Sequence, residues 1–88
     1  MIDECPIRAR PEFLQSNDIE FADQFAASLV SHQVGANGTV RSLTRMVAQM
    51  TIVLIRNGAP PEVAACRALA KGELVIAGWE RHQARAVN

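Results

Sequence analysis

The sequence predicts an all-α fold, a compact bundle of three helices, or four if Gly72 breaks the last one. Three observations predict it. Apolar residues recur at steps of three and four in three separate stretches, the spacing of amphipathic helices. Glycine and proline clusters fall between those stretches and nowhere open a strand-like alternation. Much of the 49% hydrophobic content is alanine, a strong helix former that lets helix axes approach closely, while the aromatics are only Phe13, Phe21, Phe25 and Trp79.

Residues 1–15 hold Pro6 and Pro11 and no sustained period, so they predict an extended N-terminal arm ahead of a helical domain over residues 16–88. A short turn after Pro11 would let Phe13 and Leu14 dock, since proline suits a first helical position. The first helix is expected to begin at Asn17, with Glu20 completing a capping box. Phe21, Phe25 and Leu29, flanked by Ala22, Ala26 and Val30, mark its core side, and the Gly35–Gly38 stretch ends it.

The second helix is expected from Val40 to Asn57, capped by Thr39. Val40, Leu43, Val47, Met50 and Leu54 form its core seam, widened by Met46 and Val53. Ala48, Ile52 and Ile55 form a second apolar stripe on another side. A helix apolar around most of its girth has to be covered on several sides. In 88 residues that cover comes from neighbouring helices or from a second copy, and short domains with thin cores often oligomerise. Ala48, Ile52 and Ile55 are therefore the expected surface of a homodimer.

Asn57-Gly58 followed by Pro60 stops the second helix, and Pro60-Pro61-Glu62 opens the third. Ala65, Leu69, Ile76 and Trp79 make one stripe of this third helix. Ala64, Ala68 and Gly72, four residues apart, make a small-residue face that a neighbour can approach closely. Gly72 costs about 1 kcal/mol relative to alanine inside a helix. Either close packing compensates for it or the chain bends there, and the sequence favours the continuous or merely bent helix.

Charge is balanced overall but unevenly placed. Residues 1–24 carry six acids against Arg8 and Arg10, a net −4, and the remainder carries seven bases against Glu62, Glu73 and Glu80, a net +4. An acidic start packed on a basic body accounts for this. A basic surface for an acidic partner is the sharper reading, and the neutral total weakens it for nucleic acid. Arg41 with Arg45, and Arg81 with Arg85, are each one helical turn apart and are the candidate partner-binding residues. Their guanidinium forks suit carboxylates or phosphates.

Chemistry finds little foothold. His32 and His82 lack a second ligand at helical spacing, and Cys5 and Cys66 form no CxxC or Cys–His pair, so neither a metal nor a cofactor nor a disulfide framework is expected. Cys66, among alanines, is expected to be buried as a small hydrophobe. The glycine-bearing loop Gly35–Thr39 lacks the spacing and lysine of a phosphate-binding loop. No nucleophile-and-base arrangement is apparent. The start of the chain lacks a secretory pattern, and the longest apolar run, Ile52 to Ile55, is far short of the roughly 20 residues that span a bilayer, so a reducing cytoplasm is expected. The expected function is that of a non-enzymatic regulator or adaptor that binds another protein. The alternative is a nucleic-acid-binding regulator using the basic C-terminal half, although the third helix begins with prolines, Glu62 and alanines, which offer little to base edges.

Overall fold

The computed structural model describes residues 7–87, the last of them by its backbone alone. It is all-helical: a short 3-10 turn at Pro11–Phe13 precedes α1 (Ser16–Ser31), α2 (Ala36–Arg56) and α3 (Pro61–Val87). Both α1 and α2 lie along α3 and hardly meet each other. The result is a slab of 45 × 33 × 21 Å, two helix layers thick.

The small residues of α3 explain why it is the central helix. Ala64, Cys66, Ala68, Ala70, Gly72, Val75 and Gly78 are all buried, on more than one side of the helix. The Ala64–Ala68–Gly72 face is buried, as its spacing predicts, and at Gly72 the neighbour is α2. A methyl group on Gly72 would stand 3.0 Å from Val47 Cγ2 and 3.6 Å from Leu43 Cδ1. Close packing therefore offsets the weak helix propensity of Gly72, and α3 runs through it unbroken. Ala22, Ala26 and Leu29 of α1 pack with Val75, flanked by Phe25, Leu74 and Trp79 and joined by Leu43 and Met46 of α2.

Three expectations about α1 and α2 are corrected. The α1 cap sits two residues earlier than Asn17: the Gln15 backbone N–H donates to Asp18 Oδ2 at 3.0 Å, so Gln15 and Asp18 are the reciprocal pair. The core seam of α1 is rotated accordingly to Asp18, Ala22, Ala26 and Leu29, which leaves Phe21 47% exposed. Thr39 does not cap α2. Gly35 does, in an extended conformation, and the Thr39 N–H donates to the Gly35 carbonyl one turn inside the helix, where the side chain is buried.

Both helix ends use the same wrap. The Ala59 N–H reaches the Leu54 carbonyl at 2.9 Å and the Gly58 N–H reaches Ile55 at 3.0 Å, with Gly58 at φ +103 as its position requires. At the end of α1, Val34 bonds back to Leu29 and Gln33 to Val30, both at 2.9 Å. There the left-handed residue is Gln33, at φ +57, and not one of the glycines.

The segment before α1 is extended apart from its one turn and lies on α3. The Arg10 N–H donates to the Cys66 carbonyl at 3.2 Å, and Phe13 and Leu14 are half-buried. Cys5, with the rest of residues 1–6, lies outside the described residues.

Candidate functional site

The second helix, expected to be covered on several sides by neighbouring helices or a second copy, is the least buried of the three in the single chain. Of its 21 residues only Thr39 is buried, while Val40 is 60% exposed and Ile52 48%. Leu43, Met46, Val47, Met50 and Leu54 reach intermediate burial against α3. The physical reason is that α2 packs chiefly on α3: it hardly meets α1 and joins the α1–α3 core only through residues such as Leu43 and Met46.

Arg41, Arg45, Ala48, Ile52 and Ile55 are all exposed, and their steps of four, three, four and three place them along one side of α2. The expected self-association residues and the first expected arginine pair therefore share a single surface. The Thr44 and Thr51 hydroxyls are turned inward on the backbone, donating to the carbonyls of Val40 at 2.9 Å and Val47 at 2.7 Å, which makes this surface less polar than its sequence. Beside the stripe lies a hollow of about 410 Å³ between α2 and α3, walled by Leu43, Val47, Ala48 and Leu69. Arg41, Arg45 and Arg56 form no ion pair among the described residues, and α2 contains no acidic residue.

The second arginine pair is split. Arg81 donates to Asp23 Oδ1 at 3.0 Å, and His82 Nε2 stands 3.1 Å from the same oxygen, so these residues tie α3 to α1. The hydrogen bond with His82, aided by the one from Arg81, holds the Asp23 carboxyl below its usual range. Arg85 remains exposed near the end of α3.

A third feature was missed in the sequence. Asp18 is 2% exposed. It accepts from Arg67 Nε at 2.8 Å on one oxygen and lies 3.5 Å from Lys71 Nζ on the other. Burial pushes its carboxyl upward, but hydrogen bonds from Arg67 and the Gln15 N–H, with the charges of Arg67 and Lys71, outweigh that and hold it low. One carboxylate thus serves two cations, and the ammonium of Lys71 also sits 4.1 Å from the centre of the Phe21 ring. The available signal was the i, i+4 spacing of Arg67 and Lys71, facing an Asp at the N-terminal turn of another helix.

Lys71 emerges on the floor of an open groove between α1 and α2, about 470 Å³ in volume. Phe21 and Phe25, in tilted contact at 5.7 Å, line its α1 side, and Met46, Met50 and Val53 line its α2 side.

For covalent chemistry the arrangement offers little. Cys66 is fully buried, as its alanine-rich surroundings predict. His32 closes α1, its Nδ1 2.9 Å from the Ser28 carbonyl. Among the described residues no group of three or more His, Cys, Asp and Glu side chains converges, and no helix is long and apolar enough to cross a membrane. The chain matches no known family model, no curated protein and no solved structure.

Proposed function

We propose that this chain is a non-enzymatic interaction protein, a regulator or adaptor, that self-associates through the outer side of α2 and engages a protein partner. One observation carries the reading: a 21-residue helix that buries only Thr39 while leaving Ala48, Ile52 and Ile55 exposed along one side. Exposed apolar surface that runs continuously along an element marks a contact site, whereas scattered single residues do not. The core beneath is correspondingly slight, its largest fully buried side chains being Val75 and Cys66.

A second copy suits the stripe because the surface offers both halves of a self-complementary contact. Ile52 and Ile55 project from α2, and the hollow beside Ala48 recedes. An antiparallel twofold pairing centred between Ala48 and Ile55 would seat each Ile55 near the partner's hollow, as an isologous interface requires. Sedimentation at micromolar concentration tests this. The wild type should run as a dimer and Ile52→Glu as a folded monomer, because Ile52 takes no part in the core of one copy. A wild type that remains monomeric would overturn the self-association.

Nucleic acid is the second reading, favoured by one observation: α2 carries Arg41, Arg45 and Arg56 and no acid. Affinity for random duplex that falls steeply with salt would support it. The absence of a spaced cysteine framework supports the cytoplasm as the working compartment.

A further inference from the structure

We infer that the groove between α1 and α2 receives an acidic amphipathic helix of about three turns from a partner protein, completing a four-helix arrangement. This rests on the reading of the chain as a contact protein and concerns the flank of α2 that adjoins the Ala48–Ile52–Ile55 stripe at Arg45. The two helices both pack on α3, hardly meet each other and leave a trough whose walls are mainly apolar on both sides. Phe21 and Val53 are each about half exposed there, 47% and 52%, although both belong to helices with a core to join. Met46 and Met50 supply flexible, polarisable side chains that adapt to an incoming apolar face. An apolar trough between two helices is the setting in which a third helix lays down residues at steps of three and four.

Charge decides the kind of helix. The groove is lined by two cations, Arg45 on its rim and Lys71 on its floor, and by no acid. Arg45 has no ion-pair partner among the described residues, and Lys71 shares its carboxylate with Arg67, so the buried cluster beneath the groove keeps one positive charge in excess. A basic or neutral helix would leave that excess uncompensated, whereas glutamates or aspartates flanking the apolar face would meet both cations. The lining on α2 extends from Ser42 to Val53, about 16 Å at the rise of an α-helix, which sets the length at roughly 11 residues.

Selection from a display library of random 14-residue peptides on the immobilised full chain tests the inference. The expected winners carry apolar residues at steps of three and four and a net negative charge. As synthetic peptides they should lose at least about tenfold in affinity, roughly 1.4 kcal/mol, for Val53→Asp. Arg45→Glu should act mainly on the association rate and more strongly at low salt. Val53 is exposed, so its variant should keep the helical content of the wild type, checked by circular dichroism. Ile52→Glu should bind the same peptides unchanged, which separates a failure of the groove from a failure of self-association. Winners that are basic, that lack the helical spacing or that bind Val53→Asp as well as the wild type would overturn the inference, as would a selection that enriches nothing. Displacement of the peptides by anionic vesicles or by single-stranded DNA, itself abolished by Val53→Asp, would reassign the groove to that ligand and overturn it equally.

Discussion

Arg67 Nε donates to Asp18 Oδ2 at 2.8 Å, joining the first turn of α1 to α3 across 49 residues of sequence. The same carboxylate receives the Gln15 N–H and faces Lys71, so one small acid caps a helix, fixes its position on α3 and neutralises part of a cationic pair. Because all of this happens at 2% exposure, the stakes of losing the charge are high.

Asp18→Asn is therefore expected to destabilise the protein by about 3 kcal/mol, the scale of a buried charge left without its partner. The amide can still accept the Gln15 N–H but cannot compensate Arg67 and Lys71. Urea unfolding at pH 7 checks this, and a midpoint equal to that of the wild type would show the ion pair to be energetically idle. A triple variant that replaces Arg67 and Lys71 as well should recover part of the loss, since it removes the stranded charges.

The same carboxylate sets a pH dependence. Its pKa is lower in the folded chain than the ordinary aspartate value, so on acidification the unfolded chain takes up the proton first. The stability it contributes is thus fully present above the unfolded value, about 3.9, and is lost as pH falls through the folded one. Asp23, lowered in the same sense, adds to that loss. The gap in urea midpoint between wild type and Asp18→Asn should be constant from pH 7 to about pH 5 and close below about pH 4. A gap that persists undiminished at pH 2 would assign it to packing.

Gln33 offers a test in the opposite direction. It holds φ +57 at the left-handed position that closes α1, a conformation that costs a side chain about 1 kcal/mol and costs glycine nothing. Its side chain is exposed, so nothing is lost with it. Gln33→Gly should raise stability by up to about 1 kcal/mol, less the extra entropy of glycine in the unfolded chain. That is a rise of a few degrees in thermal midpoint for a domain of this size. A fall would mean that the Gln33 side chain makes a contact that stabilises the turn.

What could be read in the sequence, and what could not, follows a physical division. The helix count, the Gly58 stop, the burial of Cys66 and the small-residue face of α3 are local patterns, and each appears where its spacing or chemistry puts it. Which helix occupies the centre is not local. Closeness of approach is decided by volume, and the alanines and glycines of α3 let two neighbours reach it at once. Phe21 and Asp18 exchanged roles for a related reason. An aspartate at the core seam looks wrong until Arg67 and Lys71 arrive from α3, and only the tertiary fold brings them there. The outer stripe of α2 was legible residue by residue, yet its union with Arg41 and Arg45 into one surface required the helix to be exposed along its length. The groove over Lys71 was not legible, since it is a space between two helices that share a third.

Gly72 is where the packing of α2 can be tested most directly. A methyl group there would lie 3.0 Å from Val47 Cγ2, tighter than an ordinary contact but against the end of a side chain that is itself only half-buried. Gly72→Ala sets a gain of about 1 kcal/mol in helix propensity against a shift of a few tenths of an ångström at Val47, and the net change should stay within about 1 kcal/mol of zero. Gly72→Leu demands more room, beside a hollow of about 360 Å³ that Gly72, Leu43 and Val47 line together. Its branched end must enter the space held by Leu43 and Val47, and forcing extra methylenes into a fitted contact costs about 1–3 kcal/mol. Urea unfolding of the two variants side by side separates the effects. If leucine were as well tolerated as alanine, α2 would not be seated on Gly72 in solution. If alanine were as damaging as leucine, the contact would be more rigid than the half-exposed Val47 implies. Pairing Gly72→Leu with Val47→Ala adds a further check. The smaller partner should restore a measurable part of the lost stability, because the two positions touch, and substitutions in contact are coupled where distant ones simply add.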